Sequence, residues 1–124
     1  IDGMIKSLID DTNPSLIISF YPGYAVHPDH EATADAVIRT VERMPKEERP
    51  RLTLVAFSND ATEALGEPDI QNDITDFKEL KIKAFEAHAS QTGPFLKQLA
   101  SPEIDGKQHS FLTVEPYWTY HFKS

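Results

Sequence analysis

The residues with the most chemistry packed into the shortest span are His27-Pro28-Asp29-His30. Residues three apart on the first turn of a helix lie on one side, so both imidazoles can face one point. An imidazole is the usual nitrogen ligand of zinc, and a catalytic zinc site normally takes three protein ligands and a water. Two histidines and a carboxylate nearly fill that set. They can also divide the work, one histidine holding a metal while the other acts as an acid or steadies an oxyanion. A plainer reading stands beside these: a His-x-x-His at a helix start can be a cap, and Asp29 a partner of the helix dipole.

The flanking sequence decides where those side chains are presented. Leu16-Ile17-Ile18-Ser19-Phe20-Tyr21 is a nearly unbroken apolar run, rich in β-branched and aromatic residues. Its length and missing alternation predict a strand buried on both faces, as in a parallel sheet. The turn-rich Pro22-Gly23-Tyr24-Ala25-Val26 then leads into a helix. Ala34, Val37, Ile38, Val41 and Met44 form its apolar stripe, and Asp35 and Arg39 are spaced to pair on its polar side. Pro28 suits the first helical position, and Asp29 and Glu31 suit the positive end of the dipole. Leu52 to Phe57 reads as a second strand, completing a strand–helix–strand parallel crossover. In open α/β sheets ligands bind in the crevice beyond the carboxyl ends of such strands, which is where the histidine pair falls.

Around this unit, Ile1 to Asp11 has helical spacing and Asn13-Pro14 ends it. Pro45 to Pro50 is a charged loop, and Gly66-Glu67-Pro68 another. Asp76 and Glu79 are spaced as a capping box for a helix with Phe77, Leu80, Ala84, Ala87 and His88 on one face, which predicts a buried His88. Thr92-Gly93-Pro94 breaks that helix, a short one runs to about Ala100, and Phe111 to Phe122 is strand-like, limited by Pro116. Tyr117, Trp118 and Tyr120 read as core or oligomer contact. His109 and His121 have no partner pattern.

Composition narrows the function. Among 124 residues, 12 Lys and Arg face 20 Asp and Glu, a formal net charge of −8 that repels phosphate backbones and anionic lipid. Nucleic acid and membrane are therefore not the expected partners. With no cysteine there is no disulfide, thiolate ligand or cysteine nucleophile. No apolar run approaches the roughly 18 residues of a membrane span, and the expected location is cytoplasmic.

The segment Ile17 to Pro22, HPDH, and Arg43-Met44-Pro45-Lys46-Glu47-Glu48-Arg49-Pro50 together resemble the LmbE-like (PIG-L) deacetylases, especially the B2-type branch of bacillithiol biosynthesis. Leu65-Gly66-Glu67-Pro68, Ala87-His88-Ala89-Ser90-Gln91-Thr92 and Tyr117-Trp118-Thr119-Tyr120 carry the resemblance almost to the end. It implies a Rossmann-like, mostly parallel α/β sheet flanked by helices. It also implies a zinc-dependent amidohydrolase that removes acetyl from an N-acetylglucosaminyl conjugate, N-acetylglucosaminyl malate in that branch, and a possible homo-oligomer.

Carried over residue by residue, His30 is a zinc ligand. His27, protonated, stabilises the tetrahedral intermediate or protonates the leaving amine, and Asp29 orients and tunes it. Ser90 and Gln91 brace the site. A tyrosine two residues before the first histidine is replaced here by Ala25, so Tyr24, one step further back, is the candidate to swing in. The family's AHPDDE-like motif, which supplies two further ligands and the carboxylate base, is absent. The chain thus reads as the carboxy-terminal portion, residues 1–124, of one longer domain. Its expected partners are the missing amino-terminal half and a small-molecule conjugate, and by itself it should be inactive, since one histidine cannot hold a closed zinc site. The rival from another class is a non-catalytic α/β binding module that keeps HPDH as a helix cap.

Overall fold

A computed structural model describes residues 1–88 and 111–122. The chain divides into two units, residues 1–70 with 116–124, and residues 71–115. Ser90, Gln91, His109, the break at Thr92-Gly93-Pro94 and the short helix towards Ala100 lie outside the described residues.

The first unit opens with α1 (Asp2–Thr12), closed by Asn13 in the left-handed conformation, whose N–H reaches back to Ile9 O. A short polar side chain tolerates that geometry, and Pro14 prevents the helix from resuming. β1 (Leu16–Phe20), α2 (Pro28–Glu42) and β2 (Arg51–Val55) follow as the expected crossover. β1 and β2 are parallel, with Leu16 opposite Arg51 and Phe20 opposite Val55. Tyr21 N–H donates to Val55 O at 2.8 Å and extends the ladder to the rim. The Arg49 side chain donates to Met44 O and Glu42 O at 3.0 and 2.7 Å, satisfying carbonyls that the end of α2 leaves open.

Because side chains alternate along a strand, Ile17 and Tyr21 share a face with Leu52 and Leu54. That face packs on Ile9 of α1 and on Val37 and Val41 of α2, forming the core. The other face of β1 departs from the expectation of two-sided burial: Ile18 is 60% exposed and Leu16 39% exposed. β1 lies at one edge of the sheet, and both helices that pack against it lie on its core side.

The expected Asp35–Arg39 pair gives way to a contact between helices. The Arg39 guanidinium donates from Nε and Nη2 to the two carboxylate oxygens of Asp2, at 3.0 and 2.8 Å, and Arg43 joins at 3.3 Å. A planar guanidinium matches a carboxylate two bonds at a time, which a neighbour on its own helix does not offer here. The Arg39 hydrogen bond holds the Asp2 carboxyl below its ordinary value of 3.8.

The strand expected over residues 52–57 ends at Val55. Two elements were not expected from the sequence, α3 (Ala61–Leu65) and β3 (Ile70–Asp73). Both are shorter than the windows over which periodicity is readable. β4 (Val114–Thr119) contains Pro116 and pairs antiparallel with β2 through Thr53–Thr119 and Leu54–Trp118. The sheet is therefore mixed rather than mostly parallel. Trp118 is 7% exposed and its indole N–H donates to Gly66 O at 3.0 Å, which makes it a core residue. The Asp69 carboxylate accepts from Thr119 N–H and Oγ at 2.7 and 2.6 Å, and those bonds hold its pKa down.

In the second unit, α4 (Lys78–Glu86) follows a 3-10 turn, Thr75–Phe77, whose entry differs from the expected Asp76–Glu79 capping box. Asp73 takes the donors instead, accepting from Thr75 N–H and Oγ at 3.0 and 2.6 Å. Phe77 and Leu80 are 58% and 62% exposed, and His88 at the helix end is exposed rather than buried. The half-buried Lys81 lies 3.9 Å over the Phe111 ring and donates to Phe111 O at 2.6 Å, with burial pushing its pKa down.

Two outcomes follow for stability. Leu54→Ala, at a fully buried position, should lower the unfolding free energy by about 2–5 kcal/mol, while Ile18→Ala should change it by under ~1 kcal/mol; chemical denaturation checks both. Asp2, Asp69 and Asp73 all have depressed carboxyl pKa values. Their contribution is therefore present above the ordinary carboxylate range and lost as pH falls through the folded values. Melting temperature should fall as pH drops below about 4, and Asp69→Asn should fall less steeply than the parent. An equal slope in the two proteins would remove Asp69 from the account.

Candidate active site at the carboxyl end of the parallel pair

Tyr21 ends the β1 ladder, and the chain must reverse before α2 can cross back over the sheet. Residues 22–27 make that reversal with two left-handed residues, Gly23 at φ 89° and Val26 at φ 74°. Glycine adopts such a φ freely, but a β-branched residue does so at a cost of about 1–3 kcal/mol, so the surroundings must hold Val26 there. Val26 is itself 71% exposed, and Ala25 beside it is 1% exposed. Tyr24 O accepts from Phe57 N–H and Ser58 N–H at 2.8 and 3.2 Å, which ties the loop to the end of β2. From α2, the Glu31 carboxylate accepts from Gly23 N–H at 2.7 Å and from Ala25 N–H at 2.8 Å.

His27 is the N-cap of α2. Its Nδ1 accepts from Asp29 N–H at 3.1 Å, so an uncharged His27 carries its proton on Nε2. The Asp29 carboxylate is 3.9 Å from the same Nδ1, beyond hydrogen-bond reach, and its side chain is 92% exposed. Donation from His27 Nδ1 to Asp29, as the family resemblance implies, requires that ring nitrogen to leave the cap.

His30 sits deeper. Its ring stacks on Phe20 with centroids 4.3 Å apart and planes 11° apart, and Phe57 closes a second side at 6.0 Å. His30 Nδ1 lies 3.3 Å from Ala25 O. A carbonyl has no proton to give, so this contact is a hydrogen bond when Nδ1 carries the hydrogen. In the neutral ring that leaves the Nε2 lone pair available, the arrangement seen in metal-ligating histidines whose other nitrogen is anchored. The two imidazole centroids are 5.3 Å apart.

The structure thus brings His27, Asp29 and His30 to one corner at the carboxyl ends of β1 and β2. It carries the Tyr24 ring to Tyr21, edge-on at 5.8 Å, and Tyr21 in turn meets Tyr120 at the same distance. Four residues that frame the histidines were not singled out for a site role from sequence: Phe20, Ala25, Glu31 and Phe57. Phe57 had a usable signal, since it falls just past β2, where a parallel sheet opens its crevice. Ala25 acts through its backbone carbonyl and Glu31 through a carboxylate bound to backbone N–H groups of the loop, partners that residue types do not announce. No group of three or more His, Cys, Asp or Glu that could hold a metal occurs among the described residues. They supply an oriented nitrogen donor at His30, with His27 beside it.

Comparison with known proteins finds relatives that match nearly the whole chain. The chain is 40% identical over 122 residues to a Bacillus anthracis protein named probable N-acetyl-alpha-D-glucosaminyl L-malate deacetylase 2, covering 97% of this chain and 54% of the relative. Proteins of the same name from Bacillus cereus and Bacillus subtilis are 43% and 40% identical, each over 94% of this chain and 54% of the relative. The likeness is to deacetylases. It runs through the HPDH corner and nearly the whole chain, and the chain spans about half the length of the curated relatives it matches. No family model matches, and no solved structure matches significantly.

The strained loop gives a direct test. Val26→Gly removes an exposed side chain and the left-handed penalty together, so the variant should be within about 1 kcal/mol of the parent or more stable. A loss above roughly 2 kcal/mol in denaturant unfolding would show that the Val26 side chain contributes packing outweighing its backbone strain.

Proposed function

We propose that this chain is the carboxy-terminal part of a zinc-dependent deacetylase that removes acetyl from an N-acetylglucosaminyl conjugate, N-acetylglucosaminyl malate being the substrate suggested by the relatives' names. The observation that carries the reading is the state of His30: one ring nitrogen anchored on Ala25 O, the ring clamped by Phe20, the other nitrogen available. The other ligands and the base that accepts the water proton would come from the half of the relatives that this chain does not span. That segment would add to the β1 edge and cover the outer face of β1, where Leu16 and Ile18 are exposed.

Zinc, when bound, would polarise the acetamide carbonyl and lower the pKa of a coordinated water towards about 7. His30 Nε2 would hold it. His27, released from the cap and protonated, would donate to the oxygen that becomes negative as water attacks the carbonyl. As the C–N bond breaks, the same proton would pass to the glucosamine nitrogen, leaving a neutral amine and acetate. Until that transfer, Asp29 would accept from His27 Nδ1–H and steady the imidazolium. Phe20 and Phe57 line the corner with apolar surface and so strengthen these charge interactions. The proposed enzyme is cytoplasmic and takes a small-molecule conjugate; no helix among the described residues is long and apolar enough to cross a membrane.

A second reading has its own observation: His27 already serves as an N-cap, which a non-catalytic module would require of HPDH and nothing more. Zinc content separates the two. With an upstream segment from the relatives joined to this chain, the deacetylase reading predicts one zinc per chain and release of acetate from N-acetylglucosaminyl malate. The 124-residue chain alone should hold no stoichiometric zinc. In the longer protein His30→Ala should lose the metal, whereas His27→Ala should keep it and lower kcat about 10²–10⁴-fold. An unchanged rate in His27→Ala would be incompatible with the role given to that residue, and no zinc in either length would leave HPDH as a cap.

A further inference from the structure

Glu31 is the residue after the second histidine, and its place in the first turn of α2 suits the helix dipole. Its carboxylate does something more specific. Oε2 accepts from Gly23 N–H at 2.7 Å and Oε1 from Ala25 N–H at 2.8 Å, so both oxygens are bound to the loop that reverses the chain. Hydrogen bonds from N–H to an ionised carboxylate are among the stronger ones, and two of them from one planar group fix orientation as well as distance. They straddle Tyr24 and adjoin Val26, the left-handed β-branched residue that cannot hold itself in place.

Ala25 is where this clamp meets the imidazole. Its N–H is taken by Glu31, and its carbonyl receives His27 N–H at 2.9 Å and stands 3.3 Å from His30 Nδ1. The carbonyl direction is fixed by the Ala25–Val26 peptide plane, and that plane is set by the strained φ of Val26. On the reading that His30 holds zinc, we infer that Glu31 is a positioning residue: by clamping the residue 23–26 loop it aims Ala25 O at His30 Nδ1 and so keeps the Nε2 lone pair free for the metal. In water the neutral histidine ring prefers its proton on Nε2, which would block that lone pair. The anchored nitrogen decides which tautomer is present.

The variant that reads this role is Glu31→Gln. It keeps the length and one accepting oxygen but points an NH2 group at the second loop N–H. Nitrogen NMR of histidine-labelled protein at about pH 8, where the ring is ordinarily neutral, reports the tautomer without metal or substrate. The parent His30 should show Nδ1–H, and Glu31→Gln should shift it largely to Nε2–H with its circular dichroism unchanged. Glu31→Asp, one methylene shorter, should retain a single loop bond and give an intermediate ratio; it serves as the variant to measure if Glu31→Gln does not fold. In the protein extended by the upstream segment, Glu31→Gln should weaken zinc binding by about 10- to 100-fold, the usual loss when the outer support of a ligand is removed.

A residue that merely stabilises the loop would lower the melting temperature and leave the tautomer unmoved. Retention of Nδ1–H in Glu31→Gln, or Nε2–H already in the parent, would overturn the inference. If the tautomer shifts as expected while the extended parent binds no zinc, the positioning role of Glu31 stands and the zinc reading of His30 is what fails.

Discussion

The parallel pairing of β1 with β2 is the constraint from which the rest of the first unit follows. Parallel neighbours cannot be joined by a tight turn, so the chain must leave β1 at one end, cross the face as a helix and re-enter at the other. α2 is that crossover, and its amino terminus is obliged to lie where β1 ends. The register with Phe20 opposite Val55 brings Phe20 and the residues just past β2, Phe57 among them, to the same rim. His27 and His30 come to the rim because they begin the crossover helix.

What distinguishes the corner is the division of labour within it. His30 is held on three sides, by Phe20, Phe57 and Ala25 O, and its freedom is reduced to one nitrogen. His27, 59% exposed in its side chain, is held by a single backbone N–H from Asp29. A fixed donor beside a movable one is what a hydrolytic site requires when a ligand must stay while an acid changes protonation and partner. The same His27 also serves as the helix cap.

The edge of the sheet carries a second consequence of the same topology. α1 and α2 both cover the face of β1 that holds Ile17 and Tyr21, so Leu16 and Ile18 on the reverse are left to solvent. An edge strand that also carries exposed apolar side chains on one face is an aggregation hazard that folded proteins ordinarily cover. The chain's span of about half of its relatives gives that edge a natural occupant under the proposed function.

Much of this was legible in residue order. The unbroken apolar run of β1, Pro28 at the first helical position and the 3.6-residue stripe of α2 act through local sterics and periodicity, and each reads directly from the sequence. HPDH was visible as a histidine pair on one side of a first turn, at the carboxyl end of a strand. Three matters needed the tertiary structure. Arg39 chose Asp2 over Asp35 because a fork-shaped cation gains most from a carboxylate it can meet with two bonds, and only the packing of α1 on α2 offers one. The exposure of Ile18 depends on which faces the helices cover, and a run of apolar residues says nothing of that. The tautomer of His30 depends on a backbone carbonyl five residues away, aimed by a left-handed valine and a glutamate clamp. Residue types carry charge and periodicity. The direction of a peptide plane is set by contacts between segments, so only the folded chain could decide it.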